Sequence, residues 1–211
     1  MSSAGFELER AFWACGLRAV AGIDEAGRGA WAGPVVVAVV VLPELADLPY
    51  RDSKTLAPAV RERLAAHVRA CARAWAVAEA DAREVDALGP LRATHVAAHR
   101  AIATLGLVPD AFVTDYLHLR FESGPVPLVA PPRADATSLS VAAASILAKT
   151  HRDDCMRAAA RAFPDYGFER HKGYGAPAHR AALHAHGPCS LHRRSYRPVA
   201  QCAPPLLGGT A

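Results

Sequence analysis

Acidic side chains stand at the ends of apolar segments in this sequence. Asp24 and Glu25 follow the run A-V-A-G-I, Asp115 ends A-F-V-T-D, and Asp135 precedes a long alanine-rich segment. Carboxylate oxygens are preferred ligands of Mg²⁺ and Mn²⁺, and burying several together is costly unless cations neutralise them. The acids therefore predict a two-metal site of the kind that hydrolyses phosphodiesters. Spacing alone does not bring them together, and Asp135 would also suit a helix cap.

The stretch after Glu25 combines glycines with a cation. Gly27 and Gly29 permit close approach of the backbone to a ligand, and Arg28 between them adds a positive charge. Such a loop suits a sugar-phosphate backbone, although a simple hairpin turn is the alternative. It is not a dinucleotide-binding fingerprint, because no G-x-G-x-x-G precedes a helix here.

Hydrophobic periodicity predicts the elements that position these residues. Strands are expected at residues 19–25, 34–42, 75–80, 111–115 and 126–129. Helices are expected at residues 58–71, 91–105, 140–161 and 177–186. Strands that alternate with helices indicate an α/β fold, a sheet covered by helices.

Composition indicates a globular domain with a basic C-terminal part. The 211 residues are 52% hydrophobic and 21% charged, which fits one domain with a short extension. Residues 133–197 carry eleven Lys and Arg against five Asp and Glu. This excess suits a phosphate-bearing partner, although a solvated basic surface is the alternative. The three lysines, Lys54, Lys149 and Lys172, fall inside compact motifs in a chain with 21 arginines, so we expect an ammonium to be needed there.

Several classes of protein are disfavoured. The N-terminal residues lack the pattern of a signal peptide, and the longest apolar run, 35–42, is far shorter than the roughly 20 residues that span a bilayer. We therefore expect a cytoplasmic protein with no membrane partner. Five cysteines without a C-x-x-C pair predict neither a disulfide framework nor a structural zinc site. The pairs His95/His99 and His184/His186 have ligand spacing but no partnering cysteines, so we interpret them as surface or packing residues.

Five segments together resemble the ribonuclease HII family, in order, over residues 19–199. They are G-I-D-E-A-G-R-G (22–29), D-S-K-T-L (52–56), D-A-T-S-L-S-V-A-A-A-S-I-L-A-K (135–149), Y-G-F-E-R-H-K-G-Y-G (166–175) and G-P-C-S-L-H-R-R-S-Y (187–196). The resemblance implies a ribonuclease H-like fold, a five-stranded mixed sheet flanked by helices with a small C-terminal helical segment. We divide the chain into a lead-in (1–18), a catalytic domain (19–162), a substrate-binding segment (163–199) and a flexible tail (200–211).

The resemblance also implies an activity. Members of this family cut the RNA strand of RNA–DNA hybrids and nick duplex DNA on the 5′ side of an embedded ribonucleotide, leaving 3′-hydroxyl and 5′-phosphate ends. The expected cofactors are two Mn²⁺ or Mg²⁺ ions, the expected partners are these nucleic acids, and the expected state is a monomer. The cellular task that this activity implies is ribonucleotide removal during DNA replication and repair.

Roles of individual residues follow from matching positions. The acids Asp24, Glu25, Asp115 and Asp135 match the family's metal ligands. Tyr174 matches the tyrosine that packs against the deoxyribose after a ribonucleotide, although a core tyrosine is the alternative. The expected substrate contacts are Gly27, Arg28, Gly29, Lys54, Ser138, Ser140, Lys149, Lys172 and Tyr174, with Ser145 either a support or a packing residue.

Two positions depart from the family pattern. Asp115 is followed by Tyr116 where glycine is common, so this assignment rests on position, with Asp110 as the alternative acid. Ala30 and Trp31 follow Gly29 where proline and a small residue are frequent, which could alter loop stiffness.

Two other functions stay open. One is an inactive relative that only binds hybrids; the other is a junction-cutting nuclease or transposase relative with the same fold.

Overall fold

A five-stranded mixed sheet forms the centre of the protein, as the resemblance to the ribonuclease HII family implies. The computed structural model describes residues 5–44, 56–121 and 124–202. The strands are β1 (Val20–Ala26), β2 (Val35–Val41), β3 (Ala74–Ala80), β4 (Ala111–Thr114) and β5 (Leu128–Val129). The helices are α1 (Glu7–Ala14), α2 (Pro58–Cys71), α3 (Ala82–Leu88), α4 (Pro90–Ala103), α5 (Leu139–Ala162), α6 (Phe168–His171), α7 (Pro177–His186) and α8 (Arg197–Ala200).

Strand β1 lies in the middle of the sheet, whose order is β3-β2-β1-β4-β5. It pairs antiparallel with β2 and parallel with β4. Every residue of β2 is buried, because its even-numbered side chains pack toward α5 and its odd-numbered ones toward α4. Helices therefore cover both faces, which explains why the sequence of β2 is apolar without interruption.

Helix α5 crosses β1 at very short range. A Cβ atom at Gly22 would lie 2.1 Å from the carbonyl carbon of Ser140, so only glycine permits this approach. Ser138 caps the helix, since its Oγ accepts the Val141 N–H at 3.1 Å. The approach brings the N-terminal half of α5 over the end of β1 that carries Asp24.

The N-terminal residues 5–18 contain α1, which the hydrophobic pattern did not predict. Its Glu9 is fully buried, and Oε1 accepts the Ser138 hydroxyl at 2.6 Å and the Ser140 N–H at 3.0 Å. A carboxylate at this position also interacts favourably with the N-terminus of α5. The lead-in is therefore attached to the first turn of the helix that flanks the acidic residues.

Helix α3 was also not predicted. It begins with a capping box, in which Asp81 accepts the Glu84 N–H at 2.8 Å and Glu84 accepts the Asp81 N–H at 3.0 Å.

In the described part of the chain, no helix is both long and apolar enough to cross a membrane. The five cysteines are all free thiols.

Candidate active site

The C-terminal ends of β1 and β4 place Asp24 beside Asp115. The two strands are parallel and pair Ile23 with Thr114, so the next residue on each strand occupies neighbouring positions at the same edge. Side chains alternate along a strand, which directs both acids toward the face that α5 covers. The sheet register thus brings together two acids that are 91 positions apart in the sequence.

The surroundings of Asp24 strongly shift the pKa of its carboxyl group. Its side chain is nearly inaccessible, at 6% exposure, and Oδ1 accepts the Glu25 N–H at 2.8 Å. Burial, together with the charges of Glu25 and Asp115, raises the pKa of Asp24 to about 8, although a hydrogen bond from Ser145 opposes the shift. A carboxylate in this position needs a nearby cation in order to be ionised at neutral pH.

Asp135 lies in a 3-10 turn, Ala134–Ala136, and is buried. The N–H of Ala134 donates to Asp115 Oδ1 at 3.3 Å, so this turn is attached to the end of β4. Asp135 does not cap α5, because Ser138 occupies that position. The geometry therefore favours placing Asp135 with the other acids over a capping role.

Asp110, the alternative to Asp115, lies at the opposite end of β4. Its Oδ2 accepts the backbone N–H groups of Arg18 and Ala19, at 2.9 and 2.8 Å. This carboxylate is therefore used to join two segments of backbone. Asp115 remains the better candidate for the acidic site.

The acidic residues fit a hard divalent cation by their chemistry, since they offer oxygen donors in a group of which Asp24 and Asp135 are buried and Glu25 and Asp115 partly buried. In the described ranges, no three of Asp24, Glu25, Asp115 and Asp135 have oxygens that all lie within 4.8 Å of one another.

A different trio does have its donor atoms that close. This trio, which joins β3 to α5, is Glu79, His151 and Cys155. Strand β2 separates Glu79 from β1, because Ala26 of β1 pairs with Val36 of β2, and Val36 pairs with Glu79 of β3. The Glu79 carboxylate lies 2.6 Å from His151 Nε2, and the Cys155 and Glu79 hydrogen bonds raise the pKa of His151 to about 10. This group is an ion pair apart from the acidic site.

A buried arginine, Arg152, packs against the glycine-rich loop. Gly27 has φ +93°, and a Cβ there would lie 1.8 Å from Arg152 Nε. Arg152 donates to the carbonyls of Pro34, at 3.1 Å, and Ala32, at 3.1 Å. Only glycine fits at Gly27, for both reasons. The sequence indicated the glycines but gave no reason to select Arg152.

The segment 187–196 fixes the same loop from its other side. The buried guanidinium of Arg193 donates to the carbonyls of Gly33, at 2.8 Å, and Arg28, at 2.9 Å. The Tyr196 hydroxyl also donates to the Arg28 carbonyl, at 2.6 Å. The Arg28 side chain itself is 44% exposed and lies 3.3 Å from Glu25 Oε1. The loop backbone is thus held rigidly, while its cation faces solvent beside an acid.

Tyr174 lies at the edge of a cleft beside the glycine loop. The preceding Gly173 accepts the Trp31 N–H at 2.8 Å, which docks this segment on the residues that follow the glycine loop. The ring is 38% exposed, and its other side covers Arg152. A cleft of about 380 Å³ results, lined by Glu25, Ala26, Gly27, Arg28, Gly29, Ser145, Lys149 and Tyr174.

The lysines differ in their positions. Lys149 lines the cleft, and its Nζ donates to the buried carboxylate of Asp153 at 2.8 Å. Asp153 also accepts a hydrogen bond from Arg61 of α2, which fixes the acid that orients Lys149. Lys172 donates to the Glu169 carbonyl, and burial lowers the pKa of Lys172. Lys54 lies outside the described residues.

Ser138 and Ser140 are not placed as substrate contacts. Both are buried, Ser138 as the cap of α5 and Ser140 beneath the contact with Gly22. Their positions support a structural role in seating α5 on β1. Of the histidine pairs, His99 packs edge-on against Phe121, as the packing interpretation expects.

Comparison with known proteins places this chain in a family. The family model "Ribonuclease HII" matches residues 21–199. A ribonuclease HII of Thermus thermophilus is 58% identical over 194 residues, which cover 92% of this chain and 93% of that protein. The crystal structure of ribonuclease H2 from Pyrococcus horikoshii aligns with a TM-score of 0.74 at 25% identity, covering 87% of this chain and 96% of that one.

A further solved structure, RNase HII of Archaeoglobus fulgidus in a complex with PCNA, aligns with a TM-score of 0.72 at 30% identity, covering 89% and 98% of the two chains. The fold and the sequence therefore agree. The chain belongs to the ribonuclease HII family of endoribonucleases.

Proposed function

We propose that this ribonuclease H, whose family cuts RNA in RNA–DNA hybrids with divalent metal ions, also incises duplex DNA on the 5′ side of a single embedded ribonucleotide. The observation that carries the proposal is one cleft in which Glu25, the glycine loop and Tyr174 meet. Acids suit a cation, and the loop and ring suit the sugars on either side of a phosphate. The proposed products are 3′-hydroxyl and 5′-phosphate ends.

The acids are proposed to hold the metal ions. Asp24, Glu25, Asp115 and Asp135 offer oxygen donors at the edge where β1 and β4 end. Two Mn²⁺ or Mg²⁺ ions, when bound there, would supply an activated water and stabilise the leaving oxygen. The hydrogen bonds from Ser145 and from the Glu25 N–H orient the Asp24 carboxylate.

The glycine loop is proposed to distinguish ribose from deoxyribose. At Gly29 a Cβ would contact no other atom within 4 Å, so the backbone there is open to a ligand. Exposed N–H and C=O groups of a fixed loop can bond a 2′-hydroxyl, which is the group that separates RNA from DNA. Arg193 and Tyr196 keep this backbone in place by holding the Arg28 carbonyl.

Tyr174 and the lysines are proposed to position the rest of the nucleic acid. The exposed part of the Tyr174 ring offers an apolar surface to the deoxyribose that follows a ribonucleotide. Lys149, oriented by Asp153, and Lys172 are proposed phosphate contacts. We further propose that the protein acts as a monomer in the cytoplasm, in ribonucleotide removal.

The direct test is incision of a labelled DNA duplex that contains one ribonucleotide, with Mg²⁺ or Mn²⁺, compared with an all-DNA duplex. We expect a metal-dependent nick 5′ of the ribonucleotide, absent from the all-DNA duplex and from Asp24→Asn. Binding of the duplex without any nick would identify a binding protein instead. Equal cutting of the all-DNA duplex would identify a nuclease or transposase relative with another substrate.

The role of Tyr174 has its own test. Tyr174→Ala is expected to reduce incision at a single ribonucleotide more than cleavage of a continuous RNA–DNA hybrid, because only the former needs the RNA-to-DNA junction. Tyr174→Phe retains the ring and should retain incision. If Tyr174→Ala incises the single ribonucleotide at the normal rate, the proposed contact is wrong.

A further inference from the structure

Tyr116, the residue after Asp115, has two unfavourable features at once. Its φ is +54°, a left-handed conformation that side chains other than glycine rarely adopt. Tyr116 is also 67% exposed, which leaves a large aromatic side chain in contact with water. Strained backbone and exposed aromatic surface at the same position are typical of sites that bind a ligand.

The local turn explains the conformation but not the tyrosine. The Thr114 hydroxyl donates to the Leu117 carbonyl at 2.6 Å, and the Leu117 side chain is buried. The chain therefore reverses within this turn, which forces Tyr116 outward. Glycine would satisfy the turn without strain. The presence of a tyrosine needs another reason.

Tyr116 lies in a groove of about 770 Å³ beside the cleft. Its lining includes the exposed Leu91 and the polar or charged side chains of Arg28, His95, His118 and Arg120. The Tyr116 and His118 rings contact each other edge to face, with centroids 6.0 Å apart. None of the described residues that line the groove carries a carboxylate. This surface therefore combines cations with flat apolar rings.

The groove and the cleft share a border. Arg28 and Gly29 line both of them, while Tyr174 lines only the cleft and Tyr116 only the groove. A nucleic acid seated in the cleft would thus reach the groove on the side of the glycine loop away from Tyr174. Cations that follow a backbone, interleaved with aromatic faces on which bases stack, are features of nucleic-acid channels.

We propose that this groove, formed around Tyr116, His118 and Arg120, is a second binding site for the nucleic-acid substrate, in which Tyr116 stacks against a base or sugar and Arg120 contacts a phosphate. The site rests on the proposed function, since it extends the cleft where incision occurs. It makes affinity depend on the length of duplex on one side of the ribonucleotide.

The first test compares Tyr116→Gly with wild type on three duplexes, one with long arms on both sides of the ribonucleotide and two with one arm shortened. We expect Tyr116→Gly to raise KM about fivefold or more on the long duplex, which corresponds to ~1 kcal/mol of stacking, with kcat unchanged. The variant and wild type should have the same KM on one of the shortened duplexes only. Tyr116→Phe should behave as wild type.

The stability of Tyr116→Gly separates binding from a structural role. Because glycine removes the left-handed strain, we expect the melting temperature to stay the same or rise. A lower melting temperature with no change in KM would mean that the ring only stabilises its turn, and would overturn the proposal. An equal rise in KM on all three duplexes would also overturn it.

Charge is tested with a matched pair. Arg120→Gln should weaken duplex binding and reduce the slope of log affinity against log salt by about one, as the loss of one phosphate contact does. Arg63→Gln removes the same charge from an exposed position on α2, on the face of the sheet opposite α4, and should leave the slope unchanged. Equal slopes for both variants would overturn the phosphate contact.

The groove can also be tested if incision does not occur. If wild type nicks no duplex, the proposed function fails, and fluorescence anisotropy with the same three duplexes still measures the groove. Length-dependent binding that Tyr116→Gly abolishes would then support the groove alone. Incision by wild type, with identical KM values for Tyr116→Gly on every duplex, would remove the groove and leave the proposed function intact.

Discussion

The guanidinium carbon of Arg152 lies 5.1 Å from the centre of the Tyr174 ring. Arg152 is fully buried, and its Nε would be 1.8 Å from a Cβ at Gly27, so the same group supports both the glycine loop and the tyrosine. Its hydrogen bonds to the carbonyls of Ala32 and Pro34 fix the guanidinium plane. The orientation of the Tyr174 ring is therefore linked to that of the loop.

Arg152→Lys should uncouple the ring from the loop. Lysine retains the charge but lacks the planar fork, so it cannot stack on Tyr174 while it holds two carbonyls. We expect the ratio of single-ribonucleotide incision to hybrid cleavage to fall roughly fivefold, equivalent to about 1 kcal/mol. The ratio is the appropriate measurement, because a smaller folded fraction lowers both rates alike. An unchanged ratio would show that Arg152 acts only on stability.

The raised pKa of Asp24 predicts a pH dependence of stability without metal. The folded protein holds a proton up to a pKa of about 8, whereas the unfolded chain loses it near the ordinary value of 3.8. Stability should therefore be greatest below pH 3.8 for this group and decline as pH rises toward about 8. Asp24→Asn should flatten this decline and raise the melting temperature at about pH 8, as measured by thermal unfolding with a chelator present.

Added Mn²⁺ provides the converse measurement for Asp24. A cation replaces the proton, so Mn²⁺ should stabilise wild type more at about pH 8 than at about pH 6. Asp24→Asn should show a much smaller Mn²⁺ effect at both values. Equal stabilisation of the two proteins by Mn²⁺ would contradict the assignment of Asp24 as a metal ligand.

Local patterns were sufficient to predict most of the sheet and the long helices. The valine run of β2 and the alanine-rich α5 were found within a few residues of their bounds, because each pattern lies in one continuous segment. Asp24 and Glu25 could be selected for the same reason, since a strand followed by glycines places them at an edge. The placement of Asp115 needed the β1–β4 register, which no local pattern contains.

The residues that sequence reasoning missed act through long-range contacts. Glu9 bonds Ser138, which is 129 positions away, and Arg193 bonds the Arg28 carbonyl, which is 165 positions away. Neither contact leaves a periodic signal. Helix α3 is different, because Asp81 and Glu84 form a capping box that is legible in the sequence. That signal was present and could have predicted the helix.

Gly22→Ala should disturb the site through α5. The added methyl would lie 2.1 Å from the Ser140 backbone, so the helix must shift away from β1. We expect a loss of roughly 1 to 3 kcal/mol in the free energy of unfolding, as for other overpacked cores. We also expect a lower kcat, because Ser145 would move relative to Asp24. Gly29→Ala is the control for stability, since its Cβ meets no atom within 4 Å and should cost little.

The pair His179 and His192 should make the C-terminal segment sensitive to acid. Their Nε2 atoms are 3.0 Å apart and both side chains are buried, so one ring donates and the other accepts. Burial and the neighbouring His179 lower the pKa of His192 to about 4, and burial also lowers the pKa of His179. Protonating both rings would break the hydrogen bond and place two like charges side by side.

The lowered pKa values of the two histidines determine how stability changes with pH. The unfolded chain binds a proton at the ordinary pKa of 6.5, whereas folded His192 resists it until about 4. The contribution to stability is therefore complete above pH 6.5 and is lost as pH falls toward 4, by about 3 kcal/mol. Chemical denaturation at about pH 7, 5.5 and 4.5 measures this loss.

His192→Asn supplies the comparison for the acid effect. It removes the titrating ring and leaves His179 a neutral partner, so its stability should be lower at about pH 7 but should decline less toward about pH 4.5. His192 pairs with Ala32, which lies in the segment that follows the glycine loop. Loss of the histidine pair should therefore disturb this segment, and wild-type incision should weaken in the same pH range. An identical loss of stability with acid in wild type and His192→Asn would show that other groups cause it.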